Sequence, residues 1–174
     1  MRFPDLRPRD RCTEASIRIL QADLDDPAHA AAVLAMTRDY ARDPMGDGAD
    51  LPADRQAVLV ERLRAHPTTL IFLAFAGDAP VGIATCFVGF STFAARPLVN
   101  VHDLHVTAAY RRRGLGRALV AAVETRARAL GCCKLTLEVQ ENNHVARALY
   151  QSVGFGSGQY EEAAGTVLFR QKKL

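Results

Sequence analysis

The chain has 174 residues, of which 49% are hydrophobic and 24% charged, with a formal net charge of +3. That is long enough to bury a core without covalent staples and ordinary for a globular domain, so neither a disordered chain nor a disulfide scaffold is indicated. The charge is mild and the arginines are spread out except at 111–113, which argues against nucleic acid as a partner.

Residues 1–14 read as an N-terminal extension: arginines are mixed with Asp5, Asp10 and Glu14, and there is no apolar run of the kind a signal peptide needs. A single domain is expected over 15–174. The alternation of Ile17, Arg18 and Ile19 predicts a first strand at 16–22. Asp25, Asp26 and Pro27 then offer helix-start chemistry for a helix over 27–42, with Val33, Leu34, Thr37 and Tyr40 at helical spacing. A loop rich in Gly, Pro and Asp follows at 43–52, and Val58, Leu59, Arg62 and Leu63 predict a second helix at 53–65.

The apolar run 68–76, the Gly77-Asp78 turn and the segment 80–93 read as an antiparallel hairpin of buried strands. A strand at 98–106 feeds a basic turn, Arg111-Arg112-Arg113-Gly114-Leu115-Gly116-Arg117, from which a helix runs to Gly131. Alternation of Leu135, Leu137 and Val139 predicts a strand over 134–141, and Asn143 caps a short helix at 143–152. Two last strands are expected near 155–160 and 165–171. The strand, helix and strand from 98 to 140 allow a right-handed crossover, so those two strands should be parallel within an otherwise antiparallel sheet. The class is α+β.

The glycines of the basic turn stand at a helix entrance. A helix N-terminus leaves N–H groups unpaired and carries partial positive charge, so this turn reads as a cradle for a phosphate or pyrophosphate. Two familiar phosphate binders fail on spacing. A P-loop needs Lys followed by Ser or Thr after its glycines, and a dinucleotide fingerprint needs a third glycine where this chain has Leu119. The four cysteines, Cys12, Cys86, Cys132 and Cys133, show no metal-ligand spacing, so reduced structural thiols, no metal and a cytoplasmic location are expected. No stretch reaches the roughly 18 to 20 apolar residues of a membrane span, so no membrane partner is expected.

The run R-x-x-G-x-G at Arg111 to Gly116, followed by N-x-x-A-x-x-L-Y-x-x-x-G-F at Asn143 to Phe155, resembles the GNAT superfamily of acyl-CoA-dependent N-acetyltransferases. The likeness covers 15 to the end, and the stretch GFSTF followed by HDLHV is loosely similar to the diamine acetyltransferase branch. The resemblance implies a GNAT-like mixed sheet of about six to seven strands with one parallel pair splayed apart, flanked by about four helices. It implies acetyl-CoA as co-substrate and a small-molecule amine as partner, with a homodimer as the assembly common among relatives.

Site residues follow from the same likeness. The backbone of Leu104, His105 and Val106 would hold the pantetheine arm. Arg111 and the N–H groups of Arg112, Arg113, Gly114, Leu115, Gly116 and Arg117 would cradle the pyrophosphate. Asn143 and Ala146 would orient the arm near the thioester. Tyr150 matches the family's general acid, and on spacing alone it is equally a core tyrosine. His102 and Asp103 are candidates for taking the amine proton, with His105 beside them. Strict alternation would put Val101, Asp103 and His105 on one face and His102, Leu104 and Val106 on the other, unless a bulge intervenes. The diamine branch carries glutamate where this chain has His102, which puts polyamine specificity in doubt. Glu138 and the loop acids Asp43, Asp47 and Asp50 are weaker candidates for the amine side; turn formation accounts for the aspartates better. The implied function is acetyl transfer to a primary amine by direct attack in a ternary complex. The alternatives are a non-catalytic acyl-CoA sensor and acetylation of a protein or aminoacyl-tRNA amine.

Overall fold

The computed structural model describes residues 16–156 and Lys172. They belong to two compact units, Met1–Leu137 and Glu138–Leu174. The first holds β1 (Ile17–Gln21), α1 (Pro27–Arg42), α2 (Ala53–Ala65), β2 (Thr69–Ala76), β3 (Ala79–Ser91), β4 (Arg96–Val106), a 3-10 turn at Ala108–Tyr110, α3 (Leu115–Ala129) and β5 (Leu135–Leu137). The second holds α4 (His144–Ser152).

The described sheet has five strands in the order β1-β2-β3-β4-β5, antiparallel except for the parallel β4–β5 pair. The expected α+β class with one parallel crossover pair is therefore observed. Of the last two strands expected from the sequence, Phe155 and Gly156 are not in a strand, and the rest lies outside the described residues. The 3-10 turn after β4 carries no apolar periodicity and was not legible in the chain.

Helix boundaries follow local chemistry. Asp26 caps α1, its Oδ1 accepting from the N–H of Ala28 at 2.7 Å, and Pro27 occupies the first turn, where its missing N–H costs nothing. At the far end of α3, Gly131 has φ +71°, a left-handed conformation that lets the Cys132 N–H reach the Ala127 carbonyl at 3.0 Å and the Gly131 N–H reach that of Arg128 at 3.0 Å. This double closure satisfies carbonyls the helix would otherwise leave open.

β2 is apolar on both faces because it is buried on both. Leu70, Phe72 and Ala74 pack with Val99, Val101, Leu115, Leu119 and Val123 under α3. Ile71, Leu73 and Phe75 pack with Ile83, Val33 and Met36 under α1. Leu73 is fully buried, so its truncation to Ala should cost about 2–5 kcal/mol. α2 differs: none of its residues is buried.

Two expectations need correction, and one cause links them. Register in the β3–β4 ladder shifts between Thr85, which faces Asp103, and Cys86, which faces Val101. His102 is thus an extra residue, a bulge in β4. Strict alternation fails there: Val101, Leu104 and Val106 pack toward the α3 core. His102 instead meets Phe87, and His105 meets α1, on the opposite face. The second correction concerns β5. Its ladder with β4 ends at the Val101–Leu137 pair, where β4 bulges, so the strand is Leu135–Leu137 rather than 134–141. Beyond it Val139 is 40% exposed.

Candidate active site

β4 supplies the centre of the site. From His102 to Val106 its only ladder partner among the described residues is β3, so past the Val101–Leu137 pair no described strand pairs with its other edge. An open strand edge is an acceptor for an extended, amide-bearing chain. Leu104, His105 and Val106 lie on that open stretch.

The turn that follows leads into α3. Gly114 is the helix N-cap with φ +83°, and a side chain there would meet nothing within 4 Å. The first bond of the helix runs from the Ala118 N–H to the Gly114 carbonyl at 3.0 Å, so the amides of the preceding turn project from the helix end. Arg112 also takes a positive φ of 59°, which turns successive amides toward one side as an anion-binding concavity does. Leu115 anchors the entrance by burying its side chain, while Arg112, Arg113, Gly114 and Arg117 are exposed and Gly116 is half-buried. These features fit a pyrophosphate held by backbone amides.

The arginine side chains have separate occupations. Arg111 donates through Nε to the Val106 carbonyl at 2.9 Å and through Nη2 to Asp43, tying the end of β4 to the loop after α1. Arg113 lies over the Tyr110 ring, 5.3 Å from its centroid. Arg111 therefore braces the turn with its side chain.

On the α1 face of β4 stand His102, Asp103 and His105, brought to one side by the bulge. His105 is 5% exposed, with Nε2 2.8 Å from Asp39 Oδ2 and its ring 5.4 Å from that of Tyr40. His102 is exposed and sits edge-on to Phe87 at 5.6 Å between centroids. Burial pushes the Asp103 carboxyl above its ordinary range, and the nearby His102 only partly offsets this. Burial likewise pushes the Tyr40 phenol up, and the charges of Asp103, Asp43 and Asp47 add to it. Tyr40 thus shares its surroundings with these three acids. Helical spacing marks Tyr40 only as a face residue, and nothing in the sequence singles out Asp39.

Two loop acids are already neutralised. Burial raises the Asp43 carboxyl, but Arg111 and the Met45 N–H outweigh it and hold the group below the usual range. Asp50 binds Arg38 at 2.7 Å and also Arg42, which together hold it well below that range. Both also accept a local backbone N–H, Asp43 from Met45 and Asp50 from Leu51, each at 2.9 Å, so they serve the loop's turns as well.

In the second unit, Asn143 Oδ1 accepts from the Ala146 N–H at 3.1 Å and so caps α4. Tyr150 is half-buried, its ring edge-on to Phe155 at 5.7 Å between centroids. Glu138 is exposed. The structure brings His102 and Asp103 together on one face of β4, in the same unit as the turn that follows that strand; Asn143, Ala146 and Tyr150 belong to the second.

The model of the acetyltransferase (GNAT) family matches residues 33–155, and the chain belongs to that family. It is 28% identical over 151 residues to the uncharacterized N-acetyltransferase YhfO of Bacillus subtilis, covering 87% of this chain and 94% of that one. It is also 28% identical over 130 residues to a thialysine N-epsilon-acetyltransferase of Caenorhabditis elegans, covering 74% and 78%. Among solved structures, the aminoglycoside acetyltransferase AAC(6')-Iy in complex with the bisubstrate analog CoA-S-monomethyl-acetylneamine shares the fold, with a TM-score of 0.70, 19% identity and coverage of 91% and 99%. No described helix is long and apolar enough to cross a membrane.

Proposed function

We propose that this acetyltransferase moves an acetyl group from acetyl-CoA to a primary amine of a small molecule or peptide, by direct attack in a ternary complex. The observation that carries the reading is the coincidence of an open β4 edge, a left-handed Gly114 at the entrance of α3, and His102 with Asp103 on the opposite face of the same strand. The thialysine and aminoglycoside acetyltransferases support it, since both names specify amines.

When bound, acetyl-CoA supplies an activated acyl group. The chain's own residues do the rest. The backbone of Leu104 to Val106 aligns the arm, and the amides of 112–117 hold the pyrophosphate, with Asn143 and Ala146 orienting the arm from α4. This positioning supplies much of the rate, because a neutral amine needs little beyond alignment. Asp103 or His102 accepts the one proton the amine nitrogen loses, and Tyr150 donates one to the departing sulfur. The same reading treats 15–174 as one domain, in the cytoplasm, assembled as a homodimer.

Tyr150→Phe tests the acid role. We expect kcat to fall by about 10²-fold or more while the dissociation constant for acetyl-CoA stays at its wild-type value. An unchanged kcat would remove Tyr150 from the reaction.

A further inference from the structure

α2 carries Arg55, Val58, Leu59, Arg62 and Leu63 on one stripe, at the spacing that places side chains on a single helix face. Leu63 packs against the cluster under α1, but no residue of α2 is fully buried, so the stripe is only partly taken up by the core. It also walls a groove of about 520 Å³ whose opposite side includes Phe87 of β3. The volume is that of a small-molecule site.

The groove leads toward the reacting strand. Phe87 meets His66, at the end of α2, edge-on at 5.1 Å between centroids, and also meets His102 edge-on at 5.6 Å. Phe87 thus links the groove wall on α2 to the bulge that carries His102.

Charge separates the possible occupants. Arg38, Arg42, Arg64 and Arg111 are each paired with an aspartate. Among the described residues, Arg55 and Arg62 take part in no such pair, and no acidic side chain lines the groove. Two guanidinium groups above an apolar wall are complementary to an anion attached to an apolar body, and they repel a second ammonium.

We propose that the groove selects amines that also bear an anionic group, such as a carboxylate, with the anion on Arg55 and Arg62, the apolar body against Val58, Leu59 and Phe87, and the amine toward His102 and Asp103. This rests on the acetyltransferase reading above and names the acceptor class. It also turns the specificity away from polyamines, whose terminal ammonium would meet the arginines.

Calorimetric binding of 6-aminohexanoate, hexylamine and 1,6-diaminohexane, in the presence of coenzyme A, tests the groove without requiring turnover. Wild-type protein should bind the aminohexanoate at least about tenfold more tightly than the diamine. Arg62→Gln and Arg55→Gln, both at exposed positions, should each reduce that preference, and the double variant should abolish it. No binding of the aminohexanoate, an equal or stronger affinity for the diamine, or a preference that survives the double substitution would overturn the inference. Thiol release with the same three amines and acetyl-CoA reports on the reaction separately. Selective binding without release by any amine would uphold the groove's charge preference and sink acetyl transfer.

Discussion

His105 Nε2 and Asp39 Oδ2 lie 2.8 Å apart, joining β4 to α1 where the imidazole is almost wholly enclosed. Removing the carboxylate leaves a buried polar ring without that partner. Asp39→Ala should therefore lose about 1–3 kcal/mol of stability, read from urea unfolding. A loss within error would mean that the pair contributes nothing to the α1–β4 contact.

Asp103 gives a pH signature. Its folded pKa is raised, by burial first, so the native state holds a proton there that the unfolded chain releases. Its contribution is full below the ordinary carboxylate pKa and is lost as pH rises through the raised folded value. Asp103→Asn lacks that titration. The variant should gain stability relative to wild type as pH rises across this window, and the two should converge in acid. Parallel stability curves would show that the carboxyl is not desolvated.

Gly114 separates backbone strain from ligand charge. Nothing lies within 4 Å of a side chain placed there, so Gly114→Ala pays only for the left-handed φ of +83°, about 1–2 kcal/mol in thermal or urea unfolding. Gly114→Glu adds a negative charge to the same corner. Its acetyl-CoA affinity should drop about tenfold or more in calorimetry, well beyond that of the Ala variant. Equal affinities in the two variants would place the pyrophosphate elsewhere.

Cys86 is fully buried, and desolvation pushes its thiol up to about 12. Almost none is thiolate at about pH 8. It should resist a disulfide reagent in the native protein and react once urea unfolds the chain. Rapid native labelling of Cys86, located by peptide mass, would contradict its place under α3.

The helices and the glycine turn at the start of α3 were legible because their signals are local. Asp26-Pro27 starts α1, the break at Pro67 follows α2, and Gly114 and Gly131 bracket α3. What the chain did not disclose depends on registers between strands. One residue inserted at His102 changes which side chains share a face, and alternation within β4 contains no sign of it. The same bulge ends the β5 ladder, so the pattern of Leu135, Leu137 and Val139 overstated that strand. The pairing of Asp39 with His105 joins residues far apart in sequence and is visible only once α1 crosses β4. The stripe of α2 was readable as a helix face, but not as a groove wall, because spacing alone does not say what the face meets.

The most direct test of the central claim is a thiol-release assay on purified protein with acetyl-CoA and a panel of primary amines, with N-acetylated product quantified by mass spectrometry in the same reactions. The account predicts amine-dependent release matched one to one by N-acetyl product. Tight acetyl-CoA binding with neither thiol nor product from any amine would contradict it.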